Sequence, residues 1–295
     1  MGPRLLIVNA DDYGLTPGIS RAILTAHRQG IVTSTSILAN GPALTDSARW
    51  LDDAPDLGVG VHLAAVGEDP PLLASREIPT LCDARGRLAR SWLELLARMV
   101  LGRVDPADLE RELGAQIERA QELGRPLTHL DAHQHTHLWP TVRDVVLGLA
   151  RRFGISAVRV PRSSGRRITG LGVRVLARAL SRRASAQGLA HTDAFAGFDE
   201  AGRLDEPRLG KTIAALGRLR AGSAELCVHP GVADDPARLR YQWGYQWSDE
   251  LRALCAPAAR EAVRRAGLEL GTYGDLRKRA RPVIPAPIHV MTSSR

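Results

Sequence analysis

The 295-residue chain predicts a single α/β domain of (β/α)-barrel type, TIM-like, with seven strands or a distorted closure. Three observations carry this expectation. Short apolar runs alternate with longer amphipathic ones seven or eight times, the pattern of repeated β-α units and a parallel sheet. No shift in composition divides the chain. Polar residues suited to chemistry stand where apolar runs stop, as they do at the C-terminal strand ends of a parallel barrel.

Leu5–Asn9 reads as the first strand. A helix is expected at Pro17–Gln29, where Thr16 supplies an N-cap and Pro17 fits the first helical position. Ser34–Leu38 and Leu57–Leu63 are the next strands. Residues 66–91 are polar, contain proline and lack a period, and are expected to form an insertion over one face. Helices at 92–101 and 106–123 precede strands at Leu127–Ala132, Ala157–Val160, a weak one at Asp193–Phe198, and Ala224–Val228. Helices at 141–153, 171–187, 206–220 and 248–267 separate or follow these strands. Leu268–Gly271 is the last strand. The domain is expected to span 1–280, and 281–295, with three prolines and no periodicity, is expected to be a flexible extension.

Composition narrows the function classes. Hydrophobic residues make up 44% and charged residues 24%, the balance of a soluble globular chain. No apolar run reaches the roughly eighteen residues of a membrane span. The opening MGPRLLIVNADD meets carboxylates at once and has no small-residue cleavage site, so it does not read as a secretory signal. Cys82, Cys227 and Cys255 are odd in number and lack CxxC spacing, which argues against a disulfide framework or a zinc ribbon and points to a reducing cytoplasm. The net charge of +8 raises nucleic acid as a partner, yet 38 of the 40 basic residues are scattered arginines that read as solvated helix faces. No nucleic-acid partner is expected.

The chemistry-bearing residues fall at strand ends. Asn9-Ala10-Asp11-Asp12-Tyr13-Gly14 sets two adjacent carboxylates at the end of the first strand. Neighbouring strand residues face opposite sides, so Asp11 and Asp12 are expected to do different jobs, unless one merely caps the next helix. In Gly58-Val59-Gly60-Val61-His62-Leu63, the two glycines share a face with His62, leaving open space that suits a ligand as well as a structural histidine. The strongest signal is Thr128-His129-Leu130-Asp131-Ala132-His133-Gln134-His135-Thr136-His137, which holds four of the nine histidines. At a period of two, Asp131, His133 and His135 project to one side for as long as the strand lasts. Imidazoles converging with a carboxylate form an N/O donor set for a divalent transition metal; the alternative is a hydrogen-bonded histidine network. His229 follows the strand-like run ending at Val228, and Arg159 lies in Val158-Arg159-Val160-Pro161. Tyr241, Trp243, Tyr245 and Trp247 place four of the twelve aromatics within seven residues, for stacking on sugar rings or for packing.

Leu6–Ile23 (LIVNADDYGLTPGISRAI), GVHL at 60–63, THLDAHQHTHLWP at 128–140 and CVHPG at 227–231 together resemble the YdjC-like carbohydrate deacetylases, which include chitooligosaccharide deacetylase. The resemblance runs from about residue 4 to 277, while 163–222 and the last residues carry little of it. It implies a metal-dependent hydrolase that removes acetyl groups from N-acetylated sugars, built on a barrel-like fold and often a homodimer. It implies Asp12, His62 and His133 as metal ligands and Asp11 as catalytic base, with His229 and Arg159 near the active site. His229 is expected to protonate the leaving amine, and Arg159 to keep Asp11 ionised. The ion implied by the resemblance is magnesium, whereas two imidazoles and a carboxylate favour zinc or another transition metal. A phosphoesterase or amidohydrolase and a non-catalytic sugar-binding protein are the rival readings.

Overall fold

The computed structural model describes residues 4–165 and 167–279, so the expected extension at 281–295 lies outside the described residues. Its elements follow the expected alternation: β1 (Arg4–Tyr13), α1 (Pro17–Gln29), β2 (Ser34–Ile37), the short α2 (Leu44–Ser47), β3 (Gly58–Leu63), α3 (Trp92–Val100), α4 (Pro106–Gln121), β4 (Leu127–Ala132), α5 (Pro140–Arg152), α6 (Ile168–Ala186), β5 (Ala194–Ala196), α7 (Glu206–Arg218), β6 (Ser223–Val228), α8 (Trp247–Cys255), α9 (Pro257–Arg265), β7 (Leu268–Leu270) and α10 (Tyr273–Arg279). The strands pair in parallel in the order β4-β3-β2-β1-β6-β5, and β7 pairs with the first residues of β1. None of the helices among the described residues is long and apolar enough to cross a membrane.

Local chemistry accounts for most boundaries. Thr16 caps α1 as expected, its hydroxyl accepting from the Ile19 amide at 3.0 Å. The helix expected at 248–267 is two helices, because Pro257 lacks an amide donor and its ring excludes the preceding turn; α8 stops at Cys255 and α9 restarts at Pro257. The strand expected at Ala157–Val160 is not a ladder. It makes only isolated bridges, Leu130 with Val158 and Ala157 with Ala190, and Pro161 removes the next donor. These bridges carry the wall on from β4 in a distorted barrel, the fold class expected from the sequence.

Residues 66–91 form a loop without helix or strand ladder, pinned from below. The buried Glu112 carboxylate accepts from the Leu72 and Leu73 amides at 2.9 and 3.0 Å, and Arg98 donates to the Thr80, Leu81 and Cys82 carbonyls.

Alternation sorts the side chains of β1. Leu6, Val8 and Ala10 face outward into a core shared with Ile19 and Ile23 of α1. Leu5 and Ile7 face inward, where they meet Ala157, Tyr273 and Leu276 and seal one end of the barrel. Above this apolar floor the interior is polar. Arg159, wholly buried, donates to Glu225 at 2.8 Å and to Asp11 and Asp131. The Tyr273 hydroxyl donates to Glu225 from the floor. Burial raises Glu225 to about 7, more than the Arg159 cation offsets.

Gly58 and Gly60 do not leave the open space expected beside His62. A Cβ on Gly60 would lie 2.3 Å from the His129 ring, which stacks on Tyr273 at 3.9 Å between centroids. The vacant-looking face is filled from the neighbouring strand.

Two outcomes follow. Gly60→Ala should lower unfolding stability by about 1–3 kcal/mol through overpacking against His129, read by urea denaturation; an unchanged midpoint would contradict this packing. Glu225 has a folded pKa near 7, above the 4.5 of an ordinary glutamate. Its protonation therefore favours the folded state at low pH, and that contribution is lost as pH rises from about 4.5 through 7. The stability of Glu225→Gln relative to the parent should thus improve between pH 5 and 8, and a pH-independent difference would refute the raised pKa.

Candidate active site

Strand ends and one irregular turn deliver Asp11, Asp12, His62, His133 and His229 to a single cleft, with Arg159 buried behind it. β1 loses its regular register between Ala10 and Tyr13, and Asp12 there takes a left-handed φ of 71°. This bulge alters the strict alternation expected at Asp11 and Asp12. Asp11 stays on the inner face, while Asp12 is turned so that both carboxylates approach His62 from opposite sides of its ring: Asp11 Oδ2 is 3.9 Å from Nδ1 and Asp12 Oδ1 is 3.5 Å from Nε2. The two carboxylates share a cleft yet meet different groups.

β4 ends at Ala132, and the chain enters a 3₁₀ turn at His133–Leu138, in which Gln134 and His135 have φ of 51° and 54°. The expected common face of Asp131, His133 and His135 therefore breaks at the strand end. His133 Nδ1 lies 3.4 Å from Asp12 Oδ1 and 3.3 Å from His62 Nε2. His135 instead stacks on Phe198, with ring centroids 5.0 Å apart. His137 Nε2 contacts the Arg159 carbonyl at 3.1 Å, and His129 sits in the barrel interior. Burial depresses His135 well below the ordinary imidazole range and takes both His129 and His137 to about 4.

Asp12, His62 and His133 thus place one oxygen and two nitrogens at the corners of a triangle with sides of 3.3–3.5 Å. Donors bound at about 2.1 Å in a tetrahedral shell lie about 3.4 Å apart, so one cation fits all three. Asp12 Oδ1 is buried and accepts no hydrogen bond, as an atom reserved for a cation would be. Among the described residues, two other groupings are near enough in space, Asp11 with Cys227 and His229, and Asp11 with His62 and Asp131. Both rely on Asp11, whose oxygens are already taken by Arg159 at 2.7 Å each.

A second layer fixes the first. His62 Nδ1 meets Asp131 Oδ1 at 2.8 Å, which turns Nε2 toward Asp12 and His133. Asp131 is itself held by Arg159 at 2.8 Å. Burial works against charge on His62, but Asp131 and Asp11 outweigh it and raise the imidazole to about 9. For Asp11, burial pushes upward, and the Arg159 and His62 cations more than reverse it, leaving the carboxyl well below its usual range. Asn9 Nδ2 at 2.9 Å and Cys227 Sγ at 3.2 Å also donate to Asp11. Arg159 grips both oxygens of Asp11. His229 Nε2 is 4.0 Å from Asp11 Oδ2, and the His229 amide is anchored on Glu250 at 2.7 Å.

Asp11, Asp12, His62, His133 and His229 line a cleft of about 330 Å³, within the range of about 300–1,000 Å³ typical of ligand pockets. The aromatic run divides between the two uses weighed for it. Tyr241 and Trp247 are buried in the core, whereas Trp243 and Tyr245 line the cleft, 5.1 Å from the His133 ring and 4.9 Å from the His229 ring. The loop at 66–91 reaches this run, with Glu68 accepting from the Trp243 indole at 2.9 Å and Asp69 from Tyr241 at 2.9 Å. Sequence reasoning missed Glu225. Its signal was a carboxylate inside the otherwise apolar strand Ser223–Val228, at a position that alternation turns inward with Cys227.

Comparison with known proteins agrees with the motifs. The family model described as YdjC-like protein matches residues 5–265. A protein of Geobacillus stearothermophilus named carbohydrate deacetylase is 32% identical over 94% of this chain and 99% of its own length. A Klebsiella pneumoniae protein named chitooligosaccharide deacetylase is 34% identical over 92% of this chain and 99% of its own. Among solved structures, a putative cellobiose-phosphate cleavage protein of Enterococcus faecalis superposes with a TM-score of 0.74 at 26% identity, covering 93% of this chain and 99% of the other. With motif, fold and length in agreement, the chain belongs to the YdjC-like protein family.

Proposed function

We propose that this chain is a carbohydrate deacetylase that hydrolyses the acetamido group of an N-acetylated sugar with the help of one divalent metal ion. The observation that carries the reading is the donor triangle of Asp12, His62 and His133, set beside a carboxylate, Asp11, that Arg159 keeps ionised. The names of the full-length relatives support the same chemistry. A phosphate substrate would want a free cation at the cleft, and Arg159, fully buried among three carboxylates, does not offer one.

Asp12, His62 and His133 would hold the ion, and two imidazoles with one carboxylate suit zinc or another transition metal better than magnesium. When bound, such an ion supplies Lewis acidity toward the amide carbonyl and a water of lowered pKa. Asp11 takes the proton from the attacking water as general base. Its low pKa makes it a constant carboxylate but a weak base, so it depends on a water that is already acidified. His229, on the other side of Asp11, delivers a proton to the departing amine, without which the leaving group would be an amide anion. Trp243 and Tyr245 offer ring faces for the sugar. Cys82, Cys227 and Cys255 are free thiols, in keeping with a reducing cytoplasm, and a homodimer completes the proposal on the family resemblance.

His133→Ala should lose bound metal and acetate release together, measured by elemental analysis and an acetate assay on N-acetylglucosamine oligosaccharides. Asp11→Asn should keep the metal while turnover falls by about 10²–10⁴. Full turnover in Asp11→Asn would remove Asp11 from the mechanism, and undiminished metal in His133→Ala would remove His133 from the ligand set.

A further inference from the structure

Tyr245 stands at the cleft with its polar end unused. Its ring packs against His229 at 4.9 Å between centroids, Trp247 at 5.1 Å and Trp243 at 5.6 Å. A further contact is Gly202, whose φ of 71° and missing side chain let the ring lie against the backbone; a Cβ there would collide with the ring carbons. The Gln246 amide donates to the Gly202 carbonyl at 2.7 Å and ties the two segments together. Packing therefore fixes where the phenol stands.

Nothing in that packing engages the hydroxyl. Three of the four tyrosines use theirs: Tyr13 donates to the Ser47 carbonyl, Tyr241 to Asp69 and Tyr273 to Glu225. The hydroxyl of the half-buried Tyr245 has no hydrogen-bond partner among the described residues, although it lines the same cleft as Asp11, Asp12, His62, His133 and His229. Burial, and after it the negative charge of Asp12, push this phenol well above its ordinary value, so it keeps its proton across the neutral range. Asp12 acts on it more strongly than Cys227, Glu250 or Asp11, which sets the hydroxyl toward the donor triangle.

An amide attacked by water needs such a donor. As the new C–O bond forms, the carbonyl π pair moves onto oxygen, which then carries a charge absent from the substrate. Other donors near the triangle are already given away: Arg159 and the Asn9 amide both serve Asp11. An O–H held in place by packing, with no competing acceptor, needs no reorganisation when that charge appears.

We propose that the Tyr245 hydroxyl donates a hydrogen bond to the acetamido oxygen of the substrate as it becomes the oxyanion of the tetrahedral intermediate. Tyr245 keeps its proton throughout. When the intermediate collapses, the electron pair returns to rebuild the carbonyl, the C–N bond breaks and the amine takes its proton from His229. This role rests on the deacetylase reading above and makes Tyr245 a catalytic residue beside the metal ligands and the Asp11 base.

Tyr245→Phe removes the oxygen and keeps the ring against Gly202 and His229. On N-acetylglucosamine and its disaccharide, with metal content matched by elemental analysis, kcat should fall by about 10²–10³ while KM changes little, the loss expected for one oxyanion donor. Calorimetry supplies a readout apart from turnover. The methylphosphonamidate of glucosamine has charged oxygens on a tetrahedral centre where the acetamide has a planar carbonyl, and it should bind the variant more weakly by a similar factor. Glucosamine, which has no such oxygen, should bind both proteins alike. Unchanged kcat, a change confined to KM, or equal binding of the phosphonamidate to both proteins overturns the proposal and leaves the deacetylase reading standing. Absence of acetate release by the metal-loaded parent from every acetamido sugar refutes the deacetylase reading itself, and the oxyanion role with it.

Discussion

A guanidinium with no exposed surface must find its counter-charges inside the protein, and Arg159 finds three: Asp11, Asp131 and Glu225. Each comes from a different strand, so the single cation ties β1, β4 and β6 together across the barrel interior. Burying so many charges is costly unless every donor and acceptor is used, and Arg159 donates through all three of its nitrogens. The same contacts do chemical work. Through Asp131 they orient His62, and through Asp11 they hold a carboxylate ionised at the edge of the cleft. Fold and site depend on one network here, which is why the isolated bridges at Ala157 and Val158 suffice: the segment that carries Arg159 is fixed by the side chain as much as by its backbone.

Asp12 shows the converse arrangement, a residue placed by backbone strain. An aspartate with φ of 71° sits where side chains are disfavoured, at a cost of about 1–3 kcal/mol that surrounding structure must impose. The following residues supply that constraint. The Asp12 carbonyl accepts from the Leu15 amide, the Tyr13 carbonyl accepts from Leu38, and the buried Tyr13 hydroxyl donates to the Ser47 carbonyl. With Tyr13 and Leu15 both locked, the chain between β1 and α1 has little freedom, and the Asp12 carboxylate is delivered to the imidazoles of β3 and of the 3₁₀ turn.

Strand ends, and the residues on them, were legible because period-two alternation and turn chemistry are local. Asp12, His62 and His133 stand out as chemistry-bearing residues for that reason, as does the Thr16 cap beside its neighbour Pro17, whereas the grouping of the first three as one ligand set is what the family resemblance implies. What was not legible depends on contacts between segments distant in sequence. The glycines of β3 suggest empty space until His129 of β4 is laid against Gly60. Alternation through 131–135 fails because the strand stops at Ala132 and two left-handed residues redirect His135, a conformation that Gln and His do not advertise. Glu225 escaped notice because one carboxylate in an apolar strand acquires meaning only when Arg159 is found across the barrel. The helix expected at 248–267 is a different kind of miss, since Pro257 was visible and the amphipathic period on both sides of it concealed the break.

Charge within the barrel explains why the donor triangle lies at one end of it. The lower interior, closed by Leu5, Ile7, Tyr273 and Leu276, offers no solvent to screen ions, and there Glu225 with its pKa near 7 carries its charge reluctantly. Asp11, Asp12 and Asp131 are all held low, so three negative charges face the positive charges of Arg159 and a protonated His62. With Glu225 protonated, that set is one positive charge short of balance. A divalent cation that took the place of the proton on His62 Nε2 would bring it to neutrality, whereas a monovalent one would leave the deficit unchanged. Arg159 and the carboxylates behind the triangle would thus bear on the charge of any ion held there as much as the three donors that form it.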